Sequence, residues 1–382
     1  MSLISRTAEL ADACGELAEE AFVAVDTEFM RDRTYWPKLC LVQLGGSRLA
    51  VAVDPLAPGL DLAPLLELMA APGVVKVFHA ARQDLEIFWH LAGRLPAPLY
   101  DTQIAAMVCG FGEEVSYEAL VAELAKARLD KTSRFTDWSR RPLTPAQLAY
   151  ALDDVIHLRT IYEALSRRIE TAGRTRWVAE ELAALQNPAI YQPDPDNAWR
   201  RLKLRSRDRR FLALVQAIAA WREREAQRRD LPRNRVVRDD LVMEVAASRP
   251  RTVEALRELE RVSLDRDAAR TLVAVINEAL ALPESSLPVL EPHVRLPKGI
   301  GPTVDLLRVL LKLRSEESEV AQRLIASGGD LEAIAVDDAA DVPALKGWRR
   351  DIFGADALAL KRGAIALAVK GRRTTVVPLP PG

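Results

Sequence analysis

Asp26 and Glu28 stand two apart at the end of the apolar run Ala21–Val25, and the period-two geometry of a strand sends both side chains to one face of a sheet. Carboxylates at contact distance repel, and both ionise only when a cation neutralises them. Asp84 falls in the first turn of a helix expected after the apolar stretch 74–78, where an acid also complements the helix dipole. Tyr150 and Asp154 are four apart, so a helix brings a phenol and a carboxylate onto one face. Each signal alone has a plainer reading: a solvated strand end, a dipole partner, a surface pair. Together they offer four carboxylates and one hydroxyl at element ends, where α/β folds gather their chemistry, and such a set is suited to holding cations.

The elements that must position these residues follow from periodicity and punctuation. Thr7 caps a short helix over 8–17, and 21–25, 39–44 and 49–53 read as strands, with Gly45-Gly46-Ser47 turning a hairpin. A helix over 60–70, a strand over 74–78 and a helix over 80–91 come next, and from Asp101 the pattern is helical through 117–128 and 145–160 to about Ile169. The first unit is therefore α/β, a mixed sheet with helices on its faces. Asn187-Pro188 and the Pro/Asp/Asn-rich stretch 191–197 mark a boundary. Everything after it reads as helical: 211–228, 241–247, 253–259 and 268–282, then a proline-rich break from Pro283 to Pro297, then 304–314, 316–326, 331–336 and 355–367. The two helical sets have similar size and order, as a duplicated module would. The expected division is 1–190, 205–288 and 298–382.

A chain of 382 residues and 42.3 kDa excludes one small domain, and 49% hydrophobic with 28% charged residues excludes wholesale disorder. No uncharged apolar stretch reaches the ~18 residues of a membrane-spanning helix, and the acids Glu9, Asp12, Glu16, Glu19 and Glu20 are unlike a secretory leader. A cytoplasmic location is expected, with no membrane partner and a monomeric chain. Cys14, Cys40 and Cys109 lack disulfide or zinc spacing. The net charge of -1 conceals a segregation: residues 1–199 sum to -9, 200–240 to +8 and 241–382 to zero. A basic stretch beside an acidic pocket suits an anionic polymer whose end is presented to bound cations.

Asp26-Thr27-Glu28-Phe29, Asp84 within His79-Ala80-Ala81-Arg82-Gln83-Asp84-Leu85-Glu86, and Tyr150-x-x-x-Asp154 resemble the three exonuclease motifs of the DEDD superfamily, in its DEDDy branch. The stretches 33–43, Asp101-Thr102-Gln103 and 137–143 are similar to ribonuclease D in particular. The resemblance covers roughly the first 200 residues and extends more weakly to the C-terminus, where 345–350 and Phe353-Gly354 resemble HRDC domains. It implies an RNase H-like exonuclease domain with a mixed sheet, followed by two all-α HRDC-like domains.

The activity so implied is two-metal phosphodiester hydrolysis, with Mg2+ or Mn2+ suited to an oxygen-only site. Asp26 would bridge both ions, Glu28 and Asp154 would complete one, Asp84 would hold the other and Tyr150 would orient water. The implied partner is RNA with a free 3' end, precursor tRNA above all, trimmed to nucleoside 5'-monophosphates. Base stacking falls to Phe29, Tyr35 and Trp36, phosphate contact near the site to His79 and Arg82, and the upstream backbone to Arg201, Lys203, Arg205, Arg207, Arg209 and Arg210. Core packing explains Trp36 equally well, and a strand-end role explains His79. A DNA exonuclease of the same fold and an inert nucleic-acid scaffold are the alternatives.

Overall fold

The computed structural model describes residues 2–130, 133, 136–259, 264–290 and 297–380. Its first unit is a six-stranded mixed sheet in the order β1-β4-β3-β2-β5-β6. The strands are β1 (Ser2–Ile4), β2 (Phe22–Met30), β3 (Lys38–Gly45), β4 (Ala50–Val53), β5 (Val75–Phe78) and β6 (Leu99–Asp101). β2 is antiparallel to β3 and parallel to β5, so the sheet changes direction at the strand that carries Asp26 and Glu28. That strand runs on to Met30 rather than breaking at its carboxylates, with a register shift between Glu28 and Phe29. β1 and β6 were not read from the sequence, since three residues are too few for a periodic signal.

One face of the sheet is covered by α1 (Thr7–Ala18), α2 (Ala63–Ala70) and α3 (Arg82–Ala92), through a core that includes Leu10, Leu17, Val23, Val25, Leu65, Leu85 and Phe88. Behind the sheet edge lie α4 (Thr102–Val108) and α5 (Tyr117–Leu120). The opposite face receives α6 (Pro145–Thr171), whose Val155 and Leu158 pack on Ala24 and Val77. Thr144 and Gln147 form a capping box at its start. After α6 comes α7 (Thr175–Leu185).

The remaining chain forms two helical sets with matching spacing. The first comprises α8 (Arg209–Arg229), α9 (Arg233–Val236), α10 (Asp239–Ser248), α11 (Val253–Arg257) and α12 (Arg266–Ala281). The second comprises α13 (Gly301–Ser318), α14 (Gln322–Ile325), α15 (Gly328–Val336), α16 (Gly347–Arg349) and α17 (Ala355–Lys361). In each, a long helix ends on a left-handed acidic residue, Asp230 (φ 49°) or Glu319 (φ 51°). A four-residue helix and then a helix of nine or ten residues follow at the same intervals. The two sets thus share helix order and spacing. The second set departs from the all-α expectation: the helix read over 355–367 stops at Lys361, and β7 (Ile365–Lys370) pairs antiparallel with β8 (Arg373–Pro378). Pro292 of the proline-rich break lies outside the described residues.

Both sets grip the α/β unit through the corner after the long helix. Asp230 accepts the backbone N–H groups of Tyr35 and Trp36, each at 3.0 Å. On the other side Ala321 N–H donates to the Met107 carbonyl at 3.0 Å, and Arg174 reaches the carbonyls of Val108 (2.8 Å) and Ser318 (2.6 Å). Trp177 stacks on Trp348 at 4.7 Å, and Arg349 pairs with Glu181. Burial holds the Glu181 carboxyl above its usual range, with Arg349 opposing the shift. Arg349→Ala should therefore destabilise docking of the last set by about 3 kcal/mol, because an unpaired buried carboxylate remains. A carboxyl raised in the folded state favours folding at low pH and loses that contribution as pH rises through its folded pKa. The variant's deficit should accordingly be larger at pH 8 than at pH 5 in denaturant titrations.

Candidate active site

Asp26 and Glu28 lie on the face of β2 that meets α6, because Ala24 two residues earlier packs on Val155 and Leu158. The approach of α6 depends on Gly45 in β3. A Cβ there would come within 3.0 Å of the Val155 Cβ and 3.1 Å of its carbonyl oxygen. With that space free, carboxylate oxygens of Asp26, Glu28 and Asp154 lie within 4.8 Å of one another, all three side chains half-buried. The segment leading into α6 is fixed by Arg141, whose guanidinium makes two bonds to Asp54 (2.6 and 2.7 Å) and one to the Cys40 carbonyl (2.7 Å). Such a forked pair sets orientation as well as distance.

Asp84 approaches from the other face of the sheet. It is buried, and the Thr27 hydroxyl donates to it across the strand end. Burial followed by the charge of Asp26 pushes the Asp84 carboxyl well above the usual range. Asp26 is likewise raised, to about 7, by burial, and Glu28 to about 9 by burial and then by Asp26, Asp154 and Asp84. Burial, and for Glu28 and Asp84 the neighbouring acids, thus disfavour the ionised forms, which divalent cations on the same oxygens would reverse. The all-oxygen donor set fits Mg2+ or Mn2+.

These residues open into a cavity of about 340 Å³ lined by Asp26, Glu28, Tyr150 and Asp154 together with His79, Ser116, Tyr117 and Glu118. Ser116, Tyr117 and Glu118 stand at the start of the helix expected over 117–128, but nothing in that pattern marks them as facing the acids. The Tyr117 hydroxyl donates to the backbone carbonyl of Asp154. His79 sits at the mouth with Nδ1 3.0 Å from the Thr102 hydroxyl oxygen, whose own proton goes to the Phe78 carbonyl. The Val115 carbonyl also approaches the ring, so its protonated nitrogen is set by how Thr102 and Val115 share it. Burial lowers the His79 pKa, partly opposed by Asp101. Asp101 in turn holds the turn before α3, accepting from Ala80 and Ala81 at 3.1 and 2.8 Å. Gln43 pairs directly with Asp26 across the ladder and is fully buried, with neither amide atom hydrogen-bonded among the described residues.

Several expected substrate contacts sit elsewhere. Phe29 packs half-buried on the α/β core. Tyr35 is buried against the first helical set: its hydroxyl donates to Glu223, and the Arg233 guanidinium lies 4.7 Å above its ring. Trp36 packs on His90 at 3.6 Å. Tyr35, buried in this way, holds the two units together and has no open face for a base, while Trp36 is half-buried at the same joint. Arg82 is exposed at the start of α3, outside the cavity lining. Lys203, Arg205 and Arg207 are exposed, and Arg201 lines a separate cleft. Arg209 and Arg210 are spent internally, on the Glu284 and Leu287 carbonyls and on the Leu282 carbonyl at the end of α12.

Thr27→Val keeps the β-branched shape but removes the hydroxyl that orients Asp84. Turnover should fall roughly 10–100-fold with little change in substrate binding, the usual consequence of losing a residue that orients a metal ligand. Steady-state kinetics checks the split between kcat and KM.

Residues 1–170 match the family model of the 3'-5' exonuclease, and residues 211–269 match that of the HRDC domain. Ribonuclease D of Granulibacter bethesdensis is 50% identical over 382 residues, covering 98% of this chain and 96% of that protein. Ribonuclease D of Acidiphilium cryptum is 52% identical over 384 residues, covering 99% and 97%. The crystal structure of Escherichia coli RNase D, described as an exoribonuclease involved in structured RNA processing, superposes with a TM-score of 0.79 at 32% identity, covering 95% of this chain and 98% of that one. Sequence and architecture agree over almost the entire length, and the chain belongs to the ribonuclease D family of 3'-5' exoribonucleases.

Proposed function

We propose that this exoribonuclease trims the 3' ends of structured precursor RNAs, tRNA precursors above all, one nucleotide at a time. The observation that carries the chemistry is the convergence of Asp26, Glu28 and Asp154 oxygens within 4.8 Å in a cavity that Tyr150 also lines. Asp26, Glu28 and Asp154 would hold one divalent ion, and Asp26 with Asp84 the other. Ions so held would supply an activated water and charge neutralisation for an in-line displacement. Tyr150, four residues before Asp154 on α6, orients the attacking water through its hydroxyl, since an ordinary phenol pKa near ~10 makes it a poor base at neutral pH. His79 lines the same cavity and would contact the strand end there. The departing group is the shortened RNA with its 3' hydroxyl, and the released product is a nucleoside 5'-monophosphate.

The proposed division is a catalytic unit over 1–190 and HRDC-like units over 205–288 and 298–382, the last being the diverged copy. Working as a monomer in the cytoplasm is part of the same reading. Among the described residues no helix is long and apolar enough to cross a membrane. The tRNA preference rests on the similarity to ribonuclease D proteins.

Asp26→Asn or Asp154→Asn should lower turnover of an end-labelled RNA by at least about a thousandfold while leaving its binding largely intact; removal of the ions by chelation should do the same. Gel analysis with and without Mg2+ shows this as loss of the one-nucleotide ladder, and turnover persisting in either variant overturns the site assignment. A matched DNA oligonucleotide degraded as fast as RNA would shift the substrate class to DNA.

A further inference from the structure

The corner by which the first helical set grips the catalytic unit encloses a cleft of about 340 Å³, lined by Arg31 and Thr34 on one side and by Arg201, Arg222, Arg233 and Asn234 on the other. Glu223 and Asp239 also line it, so four guanidinium groups face two carboxylates. Glu86, outside the lining, pairs with Arg31 at 2.6 Å, which leaves a net excess of one positive charge. The carboxylates do not exhaust the donors. Arg222 is buried and uses Nη1 on the Val237 carbonyl (2.8 Å) and Asp239 (2.7 Å), while its Nε has no partner. Arg233 spends Nε and Nη2 on Glu223 and Nη2 on Tyr35. Among the described residues no bond is formed by Arg222 Nη2, Arg233 Nη1 or any nitrogen of the exposed Arg201. The bound carboxylates thus orient the guanidinium planes and leave further N–H groups for another acceptor.

Docking alone does not account for this set. The equivalent corner of the second helical set forms a cleft of about 460 Å³ against the catalytic unit, lined by Arg168 together with Glu113, Glu316 and Glu319. The same joint is made there with the opposite charge balance. The arginine cleft also lies close to the chemistry: Arg31 is three residues beyond Glu28, ~10 Å of extended chain at most, and its partner Glu86 is two residues beyond Asp84.

We propose that the cleft is a phosphate socket that holds one phosphodiester of the RNA strand upstream of the cleaved end. This deepens the exoribonuclease reading and rests on it. Arg201 closes the socket from the solvent side, Arg222 and Arg233 present fixed donors, and the socket sets how far the strand is held from the acidic cavity. An unphosphorylated dinucleotide has a single phosphodiester, the one presented to the acidic cavity, and so has none left for the socket.

The test measures Kd for a ten-nucleotide RNA and for a dinucleotide by fluorescence anisotropy, with chelator present so that turnover plays no part. Arg201→Gln is the variant, since this exposed side chain forms no hydrogen bond among the described residues. Arg270→Gln, an exposed residue of the same unit on α12, controls for loss of one positive charge. Arg201→Gln should weaken the ten-mer about tenfold, the scale of a lost charge-assisted hydrogen bond, and leave the dinucleotide unchanged. The slope of log Kd against log salt should flatten by about 0.7, one single-strand phosphate contact. An unchanged ten-mer Kd, an equal loss for the dinucleotide, or an equal loss in Arg270→Gln would each overturn the socket. Wild-type digestion of the same ten-mer with Mg2+ is read separately: its failure would sink the exonuclease reading, whereas intact digestion with an indifferent Arg201 sinks only the socket.

Discussion

Carboxylates on separate elements can be packed within a few ångströms of one another only if protons or cations lie between them. That repulsion is the cost the rest of this fold must offset. The apolar contact of α6 with β2 and β5, through Val155 and Leu158 on Ala24 and Val77, drives together two surfaces whose neighbouring residues repel. Gly45 allows the approach, Arg141 fixes the segment entering the helix, and Tyr117 ties the Asp154 backbone. Thr27 and Asp101 do comparable work on the opposite face for Asp84 and its turn. A site that stays open to cations needs this rigidity, because a looser arrangement would relieve the repulsion by moving the acids apart.

The two helical sets contribute to the same end. Asp230 and the Glu319 corner occupy corresponding positions in two helical sets of matching spacing, and each meets a segment leading to or from the site. Asp230 holds the loop at Tyr35 and Trp36, which continues from the strand bearing Asp26 and Glu28. At the second joint Gly110, with a positive φ of 80°, lies where a Cβ would come within 2.8 Å of the Glu319 carbonyl oxygen. Arg323 is bound to Glu113 and Glu114 in that loop, immediately before Ser116 and Tyr117 of the cavity wall. Two helical sets of matching spacing therefore brace two different walls of the catalytic unit.

The carboxylates were legible in the sequence because strands and helices impose short repeats: Asp26 and Glu28 share a sheet face at a spacing of two, Tyr150 and Asp154 a helix face at four. Asp84 was placed by the strand–helix order before it. What periodicity could not show is anything decided by long-range contact. Tyr35 and Trp36 are aromatic residues near the acidic strand, which suited base stacking equally well until the Glu223 and Arg233 contacts 188 and 198 residues away were known. The final hairpin escaped for a local reason. Its residues, Ile365-Ala366-Leu367-Ala368-Val369, continue an apolar pattern begun by α17, and Gly371 turns a ribbon that only pairing with Thr374–Val377 stabilises.

The basic stretch shows why net charge predicts a partner better than it predicts a contact. Residues 200–240 carry an excess of +8, yet many of their cations are committed inside the fold. Arg209 and Arg210 hold the end of α12, Arg224 pairs with Asp196, and Arg228 and Arg229 pair with Glu225. Long-range attraction of a polyanion survives such pairing only in part, because each local dipole decays within a Debye length of about 8 Å at physiological salt. A phosphate gains most where guanidinium N–H groups remain unbonded and are already oriented by partners that do not move. In this segment that condition is met at the joint with the catalytic unit, where Arg222 and Arg233 are fixed by Asp239 and Glu223 and still present unbonded edges. Affinity for the strand and the position of its end would then depend on the same few side chains.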